Sequence, residues 1–259
     1  MNLTTLIFSK NRACQLDLLL RSLRFKVKQN NLRVLYTCDP EYEAAYDRVI
    51  KMHPDVEFVL EKDFQSQVIG SIADEYLLFL VDDDVMIDSY SEDCPEFTEF
   101  QRNEDIICLN LGMARNYDYD YLKNKLVPIP KFDRGMWEWK NYAHDWGYPM
   151  AVSAHIFRKK DILPILETIK FSGPHALERY MRGMLDKPLM IGFEKAKFIN
   201  IPVNRVGNNP QRISNITPTS VLSDKFMDGY VIDIDPIIEE AKKTRSYFMP
   251  VDFNWRKHK

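Results

Sequence analysis

Three adjacent carboxylates, Asp82, Asp83 and Asp84, are the residues of this 259-residue chain best suited to chemistry. Asp82 and Asp84 stand in D-x-D spacing, and carboxylates so spaced on a turn can hold a hard divalent cation. Mg²⁺ is bound through one or two carboxylates together with substrate phosphates, so a nucleoside diphosphate site is the first reading. A solvated acid turn is the plain alternative. An EF-hand is a poor one, because the residues after Asp82 lack its central Gly and its distant bidentate Glu.

Other groups join the acid turn as candidates. Ser9 and Arg12, in the loop SKNR, follow the apolar run Leu3 to Phe8. They would lie at the carboxyl edge of a first strand, either touching a nucleotide or acting as helix cap and solvated charge. Asp39 ends a second strand, where it can accept hydrogen bonds from a ribose or base, or cap the following helix. Glu178, early in the helical run PHALERYM, lies beside an apolar face of Leu177, Met181, Met184 and Leu185. A carboxylate so placed can carry a pKa suited to general-base work, while an i,i+4 pair with Arg182 is the structural alternative. Arg205 and Arg212 flank a loop rich in Asn and Gly that reads as a lid or hinge; either can reach a diphosphate or remain solvated. Residues 114–148 carry Trp137, Trp139 and Trp146 with little periodicity. Such rings either pack against sugar faces or fill a core, and the aromatic content speaks against disorder.

These residues need elements to position them. Tyr76 to Val81 is an unbroken apolar run, as expected of a strand buried on both faces of a sheet, and the acids fall at its carboxyl end, the edge where open α/β sheets bind ligands. Before it, strands Leu3 to Phe8, Leu32 to Thr37 and Val56 to Leu60 alternate with helices. Their apolar faces are Leu16, Leu19, Leu20 and Leu23; then Tyr42, Tyr46, Val49 and Ile50; then Phe64, Val68 and Ile72. Alternation of this kind predicts a parallel, doubly wound sheet. Ser91 to Asn103 reads as a helix, Ile106 to Leu111, Val152 to Phe157 and Phe198 to Val203 as strands. Lys160 and Asp161 open a helix in which Pro164 is tolerable only near the first turn. Near the end come a short acidic helix, around Pro236 to Lys243, and an aromatic, basic tail expected to pack on the body. The change of texture after residue 113 divides the chain into halves at 1–113 and 114–215 and a C-terminal extension at 216–259. No G-x-G-x-x-G or G-x-x-x-x-G-K-[ST] occurs, which disfavours NAD-type and P-loop enzymes.

A net charge of −3 gives a nucleic-acid partner no electrostatic support. The opening residues lack the form of a signal peptide, and no apolar run is long enough to cross a bilayer. A cytoplasmic location is expected, with peripheral contact at the inner membrane surface left open. Cys14, Cys38, Cys94 and Cys108 have no zinc spacing and read as reduced thiols.

With the SKNR loop, the LFLVDDDV strand and turn, the segment WGYPMAVSAHIFRKKDIL and the helix PHALERYM in this order, the chain resembles a GT-A-type glycosyltransferase of the family-2-like, nucleotide-sugar-dependent kind. The resemblance covers roughly the first two hundred residues. It implies a mixed α/β sheet of Rossmann-like type flanked by helices, in a single compact domain of two abutting halves, 1–113 binding the nucleotide sugar and 114–215 the acceptor. It also implies Mn²⁺ or Mg²⁺ on Asp82 and Asp84, with Asp83 near the ribose or metal, and nucleoside contacts from Ser9, Arg12 and Asp39. Glu178 matches the general base of inverting members, although Arg179 stands where a second acid is usual. His144 and His155 are candidate acceptor contacts or a third metal ligand, beside Trp146. The implied activity is transfer from a nucleoside-diphosphate sugar to a carbohydrate or lipid-linked carbohydrate hydroxyl, in glycan or polysaccharide biosynthesis. A sugar nucleotidyltransferase and a non-catalytic carbohydrate-binding protein of the same fold are the alternatives.

Overall fold

The computed structural model describes residues 2–26, 31–204 and 217–258. In chain order the elements are β1 (Leu3–Lys10), α1 (Ala13–Lys26), β2 (Asn31–Thr37), α2 (Glu43–Met52), β3 (Glu57–Leu60), α3 (Phe64–Ser71), β4 (Tyr76–Val81), β5 (Asp84–Met86), α4 (Pro95–Arg102) and β6 (Ile106–Ala114). Then follow β7 (Tyr119–Asp120), β8 (Lys125–Leu126), β9 (Met136–Glu138), β10 (His155–Arg158), α5 (Lys159–Thr168), α6 (Pro174–Met181), β11 (Leu189–Phe193), β12 (Phe198–Asn200), α7 (Thr219–Met227), β13 (Tyr230–Ile232), α8 (Asp235–Ala241) and β14 (Trp255–Lys257).

Eight strands form one mixed sheet in the order β3-β2-β1-β4-β10-β6-β11-β9. The first four are parallel, with Ile7 opposite Val34 on one side and Leu80 on the other. Right-handed crossovers that step outward through α1 and α2, then return through α3, put those helices on opposite faces. The strand order therefore reverses between β1 and β4, and a crevice opens at their carboxyl ends, the position ligands take in open α/β sheets. Strand β10 runs antiparallel between β4 and β6. The sheet is thus continuous across residue 114, with strands from both stretches alternating within it.

The periodicities explain the packing. Leu16, Leu19, Leu20 and Leu23 of α1 are buried, as are Phe64, Val68 and Ile72, and Phe97 and Phe100 of α4. Three expectations need correction. Pro164 lies inside α5, beyond its first turn. Helix α6 ends at Met181, because Gly183 takes φ +81°, and Met184 is exposed rather than part of a buried face. Tyr42 falls in a 3-10 turn before α2. Among the described residues no helix is long and apolar enough to cross a membrane.

Candidate functional site

Strands β1 and β4 pair up to Phe8 and Val81, so the residues that follow, 9–12 and 82–84, emerge side by side. Asn11 adopts φ +58°, a conformation Asn tolerates better than most residues, and turns Arg12 back over the acids. Nη1 of Arg12 donates to Oδ1 of Asp82 at 3.0 Å and to Oδ2 of Asp83 at 2.9 Å. Its other nitrogens reach the side-chain and backbone oxygens of Asn204. Ser9 Oγ and the Lys10 amide donate to Asp82 Oδ2, both at 3.0 Å, and Ser9 also touches the Tyr46 hydroxyl at 2.6 Å. Burial pushes the Asp82 carboxyl up, while Arg12 draws it back toward the charged form.

Asp84 is placed differently. Its side chain is fully buried and accepts from the Val81 amide (2.9 Å), Ser153 Oγ (2.7 Å), Asn200 Nδ2 (2.9 Å) and the Tyr247 hydroxyl (2.8 Å). Tyr247 comes this close to β6 only because position 112 is glycine; a Cβ there would lie 2.5 Å from the Tyr247 ring. Asp84 thus ties β4, the residues just before β10, β12 and the C-terminal stretch together.

Asp82 and Asp83 line a cavity of about 990 Å³, whose walls also carry Ser9, Arg12, His155 and Glu178. Glu178 Oε1 accepts the Val152 amide at 2.9 Å, and the Tyr148 hydroxyl donates to the same carboxylate. Burial raises its pKa to about 7, against those two donors. His155 is neutral and committed on both nitrogens. Asn110 Oδ1 accepts the amides of Gly112 and Met113, so its Nδ2 must donate to His155 Nε2 at 3.0 Å. Nδ1–H then donates to the Ser153 carbonyl at 2.7 Å, and burial lowers the pKa to about 4.

The remaining candidates separate. His144 lines the cavity, with Nδ1 2.5 Å from Oδ2 of Asp120. Trp146 is buried in the core, stacked edge-on with Trp137 and Phe132, and its indole donates to the Tyr117 carbonyl. Asp39 is exposed and exchanges two hydrogen bonds with Asn11, at 2.7 and 2.8 Å, instead of capping a helix. Arg205 and Arg212 lie outside the described residues. Asp120, Asp145, Glu61 and Lys10 also line the cavity and were missed. The first two sit in the aperiodic aromatic stretch, which gives no register for deciding which side chains face inward. Burial, reinforced by Asp120, raises Asp145 to about 7.

Among the described residues no three His, Cys, Asp or Glu side chains converge as a metal cage. The donor set still fits a Mg²⁺- or Mn²⁺-type ion completed by phosphate oxygens. Asp83 offers hard oxygens on the cavity wall, each accepting one hydrogen bond, from Asn200 and from Arg12, which leaves a lone pair on each. Asp84 does not reach that wall.

No protein-family model matches the chain. It is similar to the bifunctional glycosyltransferase pgtA of Dictyostelium discoideum, 28% identical over 202 residues, covering 62% of this chain and 24% of that protein. The chain therefore spans about a quarter of that relative's length. Among solved structures, S. aureus TarS residues 1–349 in complex with UDP aligns with a TM-score of 0.52 and 13% identity, covering 76% of this chain and 60% of that one. A cytidylyltransferase from Leptospira borgpetersenii aligns at a TM-score of 0.43 with 16% identity over 70% of each chain, too distant to bear on function. The fold, a mixed α/β sheet flanked by helices in one domain, is of the GT-A type that TarS shares.

Proposed function

We propose that the chain is a glycosyltransferase that moves a sugar from a nucleoside-diphosphate sugar to an acceptor hydroxyl, with inversion and with a divalent cation. The observation that carries this reading is that Asp83 and Glu178, ninety-five positions apart, line one cavity at the sheet's carboxyl edge. The likeness to pgtA supports a transferase, and UDP bound to TarS supports a nucleoside diphosphate as the ligand of such a cavity.

In this reading Asp83, with Asp82 beside it, would hold the cation, which when bound would supply Lewis-acid stabilisation of the departing diphosphate. Arg12, locked by Asn204, adds fixed positive charge at the same place. Glu178 takes the acceptor's proton. A carboxyl raised to about 7 is ionised in part at neutral pH and basic enough for that task. His144, held by Asp120, offers its second ring nitrogen to acceptor hydroxyls. The donor lies on the β1–β4 side and the acceptor beneath Tyr148 and Glu178. The acceptor is a carbohydrate or lipid-linked carbohydrate, and the reaction runs in the cytoplasm.

The test is to supply the protein with a panel of nucleotide sugars, Mn²⁺ and glycan acceptors, and to measure nucleoside diphosphate release and sugar incorporation. Release with incorporation is expected, abolished in Asp83→Ala and in Glu178→Gln. Pyrophosphate formation from a nucleoside triphosphate and a sugar phosphate would instead mark a nucleotidyltransferase.

A further inference from the structure

The cavity runs beyond the acid turn toward the outer parallel strands. Leu35 and Thr37 of β2 and Glu61, one residue past β3, line it, with Phe8 and Phe64 as apolar walls and Lys10 beside them. Strands β3 and β2 lie on one side of β1, while β10, just after the Val152 amide that Glu178 accepts, lies beyond β4, so the acid turn falls between this end and Glu178. Flat apolar walls with polar groups at the rim suit a planar heterocycle, since small-molecule sites pair an apolar lining with a few orienting polar groups.

Resting on the proposed use of a nucleoside-diphosphate sugar, we infer that the base bound here is guanine, read by Glu61 and Lys10. Glu61 is half buried, and among the described residues its carboxylate accepts no hydrogen bond; Lys10 lines the same cavity, and its charge acts on Glu61. A carboxylate can only accept and an ammonium can only donate. The ligand edge that matches this pair presents two adjacent donors followed by an acceptor. Guanine offers that order, with its exocyclic amino group, its ring N–H and then O6. Uracil offers one N–H flanked by two carbonyl oxygens, so one of them would face the carboxylate. Adenine and cytosine each place a bare ring nitrogen beside their amino group, with the same penalty. Asp39, the residue expected from the sequence to contact the base, is exposed and already paired with Asn11.

Calorimetric titration of the full chain with GDP, IDP, UDP, CDP and ADP, each with Mg²⁺, tests the assignment. GDP should bind about tenfold or more tighter than UDP, within what one bidentate base contact supplies. IDP, which lacks the exocyclic amino group, should bind several-fold weaker than GDP. Glu61→Gln should weaken GDP by about tenfold and leave UDP nearly unchanged, and Lys10→Met should also weaken GDP selectively. UDP binding as tightly as GDP would overturn the guanine assignment while leaving the transferase reading intact. A uniform loss of all five ligands in Glu61→Gln would also overturn it, by showing Glu61 to be structural. Binding of none of the five by protein that is folded by circular dichroism would overturn both.

Discussion

The hydroxyl of Tyr247 donates to Oδ1 of Asp84 at 2.8 Å, joining residues 163 positions apart. Ser153 Oγ lies 2.7 Å from the same carboxylate oxygen and 2.6 Å from the Tyr247 hydroxyl. Asp84 accepts from both hydroxyls, and burial raises its carboxyl to about 7. The third acid of the turn is therefore a structural junction, and the acids facing the cavity are Asp82 and Asp83.

The two roles separate by mutation. Asp84→Ala should lower stability by about 2–4 kcal/mol, since it strands several buried donors. For a chain of this size the melting temperature should fall on the order of 5 °C or more. Asp83→Ala should melt close to wild type yet lose nucleotide-dependent turnover. Calorimetric melting and a turnover assay on both variants check this; an Asp84→Ala protein of unchanged stability would contradict the junction.

With Glu178 as the proposed base, transfer should depend on pH. As a base Glu178 works ionised, so kcat/KM should rise with pH through an apparent pKa near 7 and then level off. Glu178→Gln should reduce kcat by about 10²–10⁴-fold and remove that limb. A pH–rate profile of both proteins measures it, and a flat wild-type profile would point to another base, with Asp145 the next carboxylate on the cavity wall.

Stability should move with pH in the opposite sense to activity. Asp84, Asp145 and Glu178 are each raised to about 7. An acid whose folded pKa exceeds its unfolded value, about 4, binds more protons when folded across the interval between them. Stability therefore falls as pH rises from about 4 through 7. The melting temperature should decline between about pH 5 and 8, and Asp84→Asn should flatten part of that decline.

Much of the sheet was legible because its strands and helices carry strong, short-period patterns. The four apolar leucines of α1, the run Tyr76 to Val81 and the Phe97–Phe100 pair all fall where their spacing predicts. The acid turn and Glu178 were legible as types of residue, since both stand beside such patterns. Which acid faces the cavity was not, because adjacent side chains on a turn diverge by tertiary packing: Asp84 turns toward Ser153 and Tyr247, whose positions depend on β10 and on the glycine at 112. Trp146 was ambiguous for a related reason. An aromatic run without period looks the same whether its rings meet a ligand or one another, and here they meet one another.

The central claim is that the cavity behind Asp83 binds a nucleoside diphosphate with a divalent cation, and thermal shift tests it most directly. The protein is melted with GDP, UDP, CDP and ADP, each with and without Mn²⁺, alongside Asp83→Ala. At saturating ligand at least one nucleotide should raise the melting temperature by on the order of 5 °C with Mn²⁺, less without it and not at all in Asp83→Ala. No shift with any nucleotide, or an equal shift in Asp83→Ala, would contradict the account.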